Sequence, residues 1–281
     1  MRWKFRNGFV RARGHRLYWT SIGEPRKGSV LFLHGLGVDQ NIGRSYAALA
    51  PFGYRVVTYD RLGVGRSERP RSYSDFTVRR EAEEVDAVRR KLGLGRCHLV
   101  GYSWGGNLVL EAALRYPRSF RSLVVSNSMA SRRQFLAEVN RLVGRLPRDA
   151  RRAIERVDVQ GKPAGRAYRA AWSEFERRHA GDTRVMPIDA VLAFQGSNPK
   201  VVTATEKSNL DWDVRAQLPR IRLPTLVTTG VRDFCTPRLA RTIHRGIRGS
   251  QLVLFRQSGH DCLDRERDLY LDVVRRFLDA H

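Results

Sequence analysis

The chain has 281 residues, 42% of them hydrophobic, enough apolar material to bury a sizeable core and too much for a disordered chain. Its net charge of +24 invites a nucleic-acid reading, yet the charge is spread evenly: 16 basic and nine acidic residues lie in 131–209, against 36 and 19 outside it. With 46 arginines, six lysines and no basic tail, the composition points away from a specific nucleic-acid partner.

Taken in chain order, Met1 to Gly8 is charged where a secretory signal would be apolar. No run approaches the roughly 18 apolar residues of a membrane span, so a cytoplasmic protein without membrane contact is expected. Val10–Arg13 and Arg16–Ile22 read as an antiparallel pair. Val30–Leu33, Arg55–Tyr59, His98–Val100, Leu123–Ser126, Thr225–Thr228 and Gln251–Phe255 follow as six further strands. Helical stripes over Val78–Leu92 (Val78, Ala82, Val85, Val88) and Leu269–Leu278 separate or follow them. This alternation predicts an α/β fold with a mostly parallel eight-stranded sheet flanked by helices. Residues 131–209 interrupt it with helical segments, including Phe135–Leu146 and Tyr168–His179, and no strand pattern. They are expected to form a helical cap inserted after the sixth strand, leaving 1–130 and 210–281 as the core domain.

The chemistry concentrates where the strand ending at Val100 runs through Gly101-Tyr-Ser-Trp-Gly105 into a helix. A G-x-S-x-G sequence on strand, turn and helix is a nucleophile elbow: the sharp turn admits only small residues at Gly101 and Gly105 and exposes Ser103 above the sheet. A serine hydroxyl needs a base within reach and a carboxylate to fix that base's tautomer. Asp233 and His260 each stand just past a strand, at the sheet edge where Ser103 sits, and the order Ser, Asp, His suits the fold. Asp261 and Asp264 follow the histidine and are expected to cap the last helix. For the oxyanion hole, the backbone N–H of Trp104 is one donor, and the turn His34-Gly-Leu-Gly37 offers Leu36 as the other, with His34 ordering the loop. The remaining histidines are read as structural. Cys97, Cys235 and Cys262 have no metal-ligand spacing, so neither metal nor cofactor is expected; a Cys235–Cys262 bond is possible in principle but not predicted.

These residues carry a resemblance to the α/β-hydrolase fold over nearly the whole chain, supported by the Tyr59-Asp-Arg-Leu-Gly-Val-Gly-Arg-Ser67 turn, which resembles the superfamily's structural D-x-x-G-x-G-x-S. Gly101–Gly106, Leu210–Val214 and Pro224–Pro237 resemble the prolyl iminopeptidase and tricorn-interacting aminopeptidase group, which implies cleavage of N-terminal residues from short peptides. The chain departs from that group in three places. It has His34-Gly-Leu-Gly-Val in place of H-G-G-P-G, Ser197-Asn-Pro-Lys-Val-Val in place of a G-P-N-E-F-like stretch, and Phe234 where some members carry glutamate. Glu206 is then the nearest amine anchor. A protonated amine without a paired carboxylate is costly to bury, which favours a small uncharged ester or amide over a free amino terminus. Phe135, Trp172, Phe175, Phe194 and Trp212, with Gly35, Tyr102 and Phe234, are the expected pocket for a small molecule or short peptide, part of the aromatic set serving as the cap's own core. A non-catalytic receptor on the same fold is the alternative of a different class.

Overall fold

The computed structural model describes residues 5–180 and 198–281. Eight strands form one sheet: β1 (Phe5–Ala12), β2 (His15–Ile22), β3 (Gly28–Leu33), β4 (Tyr54–Tyr59), β5 (Cys97–Tyr102), β6 (Phe120–Ser126), β7 (Thr225–Gly230) and β8 (Gln251–Phe255). Their spatial order is β1-β2-β4-β3-β5-β6-β7-β8, with β1–β2 and β2–β4 antiparallel and every later pair parallel. The first hairpin is longer than its sequence pattern implied, because β1 begins with the exposed residues Phe5, Arg6 and Asn7, which no alternation of polarity marks. The central strands are buried on both faces, as their unbroken apolar runs require.

Helices cover both faces. α1 (Val78–Lys91) and α2 (Trp104–Arg115) pack on one side, where Val85, Val88, Leu108 and Leu110 join Leu31, Leu99 and Val125. α1 is well terminated: the Thr77 hydroxyl caps the Arg80 N–H, Glu81 sits in the first turn, and Arg89, Arg90 and Lys91 meet the negative end of the dipole. On the other side a 3₁₀ helix (Gln40–Phe52) and the C-terminal helix meet through Tyr46 and Tyr270, whose hydroxyls are 2.6 Å apart.

Between β6 and β7 the chain leaves the sheet through α3 (Arg132–Val143), α4 (Arg148–Asp158), α5 (Arg166–His179) and, after the undescribed stretch, α6 (Pro199–Ser208). Exit and return are fastened together: Ser131 bridges Asp213, the Val214 N–H reaches the Ala130 carbonyl at 2.9 Å, and the Arg132 N–H reaches the Trp212 carbonyl at 2.9 Å. After β7 come α7 (Pro237–Gly246), the short α8 (Cys262–Arg265) and α9 (Arg267–Asp279). Asp261 caps α8 rather than the last helix, and Asp264 lies inside that turn. Among the described residues no helix is long and apolar enough to cross a membrane.

Candidate active site

The parallel register aligns the ends of five strands, pairing Leu33 with Gly101, Tyr102 with Ser126, Ser126 with Thr228 and Gly230 with Phe255. Leu36, Ser103, Asn127, Asp233 and His260 all follow those ends, so one edge of the sheet collects residues from across the sequence.

Ser103 has φ +54° and ψ −120°, a conformation that a non-glycine residue adopts only when its surroundings force it. The forcing is visible. A Cβ on Gly101 would run into the Gly105 carbonyl, and one on Gly105 into the Leu33 carbonyl, so strand β5, helix α2 and strand β3 approach more closely than any side chain permits. α2 begins at Trp104, with Ser103 as its N-cap residue.

Asp233, buried in the turn after β7, accepts four hydrogen bonds. Its Oδ2 takes Asn127 Nδ2 (2.7 Å) and Thr229 Oγ1 (2.8 Å), and its Oδ1 takes the Cys235 N–H (2.7 Å) and His260 Nδ1 (2.8 Å). A carboxylate so surrounded is held in one orientation, and since it can only accept, His260 Nδ1 is the donor and Nε2 is the ring nitrogen left for chemistry. The His260 ring stacks on Phe234 at 4.0 Å and lies 5.0 Å from Tyr102, whose hydroxyl donates to the His260 carbonyl at 3.0 Å.

The turn after β3 is held from below. His34 Nδ1 donates to the Gly35 carbonyl (2.9 Å) and its Nε2 accepts the Arg61 N–H (3.3 Å). Burial, reinforced by the Arg61 charge, pushes the His34 pKa well below the ordinary histidine value and keeps the ring neutral. A Cβ on Gly35 would lie 3.2 Å from Ser103 Cβ, so turn and elbow are in contact.

The expected pocket residues separate into three groups. Phe135 and Phe234 lie 6.2 Å apart, and Phe175 is 6.4 Å from Phe234, so the other two gather around Phe234, the ring that stacks on His260. Trp172 packs on Tyr168 and Phe175 within the core of the insertion. Trp212 instead packs against the main core and donates to Glu111 on α2 at 3.2 Å, while Phe194 lies outside the described residues. Glu206 is half exposed and paired with Arg132 at 3.3 Å.

Two residues of the site escaped the sequence reading. Asn127 has φ +52°, and its amide reaches Asp233, Gly259 and Cys262; an asparagine directly past a strand of this edge was the available signal. His179, read as structural without a partner, ends α5 with its carbonyl on the His260 N–H (3.0 Å) and its Nδ1 on the Arg232 carbonyl (2.9 Å), thereby touching both loops. The three cysteines are free and buried. Cys235 offers a sulfur within 4.8 Å of ligand atoms of Asp233 and His260, but burial holds the thiol protonated and both Asp233 oxygens are already occupied by donors. Two clefts, of about 280 Å³ beside Phe5, Thr20 and Arg44 and about 320 Å³ beside Arg152, Arg156 and Tyr168, do not include Ser103.

A family model described as "alpha/beta hydrolase fold" matches residues 28–265. A proline iminopeptidase of Saccharolobus solfataricus is 34% identical over 246 residues, covering 83% of this chain and 78% of that protein. Another from Lactobacillus helveticus is 31% identical over 281 residues, covering 95% and 96%. The crystal structure of the proline iminopeptidase of Mycobacterium smegmatis superposes with a TM-score of 0.86 at 28% identity, covering 98% of both chains. With the family model spanning most of its length and relatives this similar, the chain belongs to the α/β-hydrolase fold family and is one of its serine hydrolases.

Proposed function

We propose that the chain hydrolyses a small ester or amide through an acyl-enzyme intermediate, with Ser103 as nucleophile, His260 as base and Asp233 as the group that orients it. The observation that carries this is the Asp233–His260 pair at 2.8 Å, on the same strand edge as a serine held at φ +54°. Ser103 Oγ adds to the substrate carbonyl while His260 Nε2 takes its proton. The oxyanion sits between the N–H groups of Trp104 and Leu36. The proton then passes to the leaving group, and water, activated by the same imidazole, releases the acid.

The helices between β6 and β7 act as a cap, and Phe135 and Phe234, backed by the buried Phe175, form the apolar wall for the substrate's acyl side. The reading is supported by the stacking of Phe234 on His260, with Phe135 and Phe175 against Phe234, and by the grip of α5 on both loops through His179. A second reading, removal of an N-terminal residue, has support from the relatives named proline iminopeptidase. Glu206 serves an amine poorly because it already pairs with Arg132. Glu176 on α5 is the better carboxylate: its Oε2 is buried with no hydrogen-bond partner among the described residues, and burial raises its pKa to about 7.

A fluorophosphonate probe tests the nucleophile. It labels the wild type at Ser103 and leaves Ser103→Ala unlabelled; labelling that survives in the variant discards the assignment. Substrate class is decided by comparing p-nitrophenyl esters of short acids with proline p-nitroanilide. The esters are expected to react with the higher kcat/KM. Efficient release from proline p-nitroanilide, lost on N-acylation and on Glu176→Gln, replaces the first reading by the second.

A further inference from the structure

The two N–H groups assigned to the oxyanion belong to different elements, and a buried side-chain relay joins them. Trp104 Nε1 donates to both carboxylate oxygens of Glu81, at 3.3 and 3.4 Å. Glu81 pairs with the Arg61 guanidinium, and Arg61 Nη2 donates to the Gly35 carbonyl at 3.1 Å. That carbonyl and the Leu36 N–H share one peptide plane. In a trans peptide they point in opposite directions, so whatever holds the carbonyl downward aims the N–H upward, to the side where Gly35 abuts Ser103.

The geometry points to Arg61, Glu81 and Trp104 as a brace that aims the oxyanion hole, with His34 as a second donor to the same carbonyl. The assignment rests on the proposed role of Ser103. All three side chains are buried, so Arg61 and Glu81 act by position alone. Stability is a weak reason for them to be there. A buried ion pair seldom outperforms apolar packing, and the Arg61 Nε is buried with no partner among the described residues. Placement of the guanidinium satisfies Gly35 and Glu81 at the expense of that nitrogen. Without Arg61 the Gly35 carbonyl would keep the His34 hydrogen bond but lose a charged donor, and the peptide would be free to rotate. A rotated peptide presents a carbonyl to the oxyanion in place of an N–H. Loss of one oxyanion donor costs about 10²–10³ in kcat, and partial misalignment costs part of that.

Two variants test the brace on enzyme first shown to be labelled at Ser103. Arg61→Met with Glu81→Gln removes both charges together, so no lone ion is left buried; Trp104→Phe removes the indole N–H together with part of the ring and leaves both charges in place. For p-nitrophenyl butyrate, the double variant is expected to lose about 10- to 100-fold in kcat with KM within about twofold. The inhibition constant of phenylboronic acid, whose tetrahedral adduct occupies the same hole, rises in proportion. Trp104→Phe changes both quantities in the same direction by about three- to tenfold. A folded double variant whose kcat and boronate affinity stay within twofold of wild type overturns the proposal. Should the double variant not fold, unchanged kcat and boronate affinity in Trp104→Phe overturn it equally. A wild type that the fluorophosphonate does not label at Ser103 refutes the underlying nucleophile assignment instead.

Discussion

Beneath Ser103, Arg61, Glu81 and Trp104 are buried against one another, and at Gly101 and Gly105 the backbones leave no space for a side chain. Across the strand ends, the helical insertion has a small core of Leu142, Leu146, Ile154, Ala171 and Phe175 and an outer surface rich in arginine. Among the described residues it meets the body below at separate places: Val201 and Ala204 reach the main core, Asn198 donates to the Gly63 carbonyl, and Phe135 and Phe175 lie against Phe234. Glu138 on α3 accepts from Thr236 (2.9 Å) and Arg238 (3.2 Å), and His179 on α5 meets the Arg232 and His260 backbones. The lower region is packed backbone against backbone, whereas the upper one meets it through side chains at separate polar and aromatic contacts. Chemistry that needs atoms placed to a fraction of an ångström belongs to the first, and accommodation of different substrates to the second.

The contrast is sharpest at Asp233. Asp233→Asn keeps the shape of the loop but turns an amide toward His260 and favours the wrong tautomer, so kcat for a p-nitrophenyl ester should fall by about 10⁴. Asp264→Asn, in the turn of α8, should change it little; the reverse ranking would move the acid out of the buried region. Next in size is the attachment of the insertion. Glu138→Ala removes the acceptor for Thr236 and Arg238 and should cost about 2 kcal/mol in thermal or urea unfolding. Its kinetic signature should be a raised KM with an unmoved pH profile of kcat, and a shifted profile would show that the upper region shares in the chemistry.

A smaller effect is expected at Asn127. Asn127→Gly keeps the left-handed backbone and deletes one donor to Asp233, and kcat/KM should drop by about tenfold, as for a hydrogen bond to a charged acceptor. Wild-type rates in this variant would show that the other three donors suffice. The last prediction concerns stability alone and how the lower region tolerates ionisable groups. Burial, and then the neighbouring Glu81 charge, raise the Glu84 pKa from 4.5 to about 7. The folded state therefore holds this proton more tightly than the unfolded chain does. Its stabilising contribution is complete below about pH 4.5 and is lost as pH rises through about 7. Between pH 5 and 8 the wild type should lose about 1–3 kcal/mol more stability than Glu84→Gln, read from urea midpoints. Parallel curves would mean that Glu84 is solvated.

The sequence by itself determined the eight-stranded sheet, because apolar runs of strand length and helical stripes are local patterns. The same locality made Ser103, Asp233 and His260 legible: each follows a strand within a few residues, and parallel strands bring their ends to one edge. Strand ends could be read, but not what packs beside them. Asn127, His179 and Glu138 contact the loops of Asp233 and His260 from 53 to 135 positions away, with no spacing that announces it. Trp212 was assigned to the pocket on its type alone, and only its bond to Glu111 shows that it faces the main core. The relay from Trp104 through Glu81 and Arg61 to Gly35 joins residues on four separate elements. Hydrogen bonds depend on distance and angle in space, so that chain of contacts exists only once β3, α1, α2 and the turn after β4 have packed together.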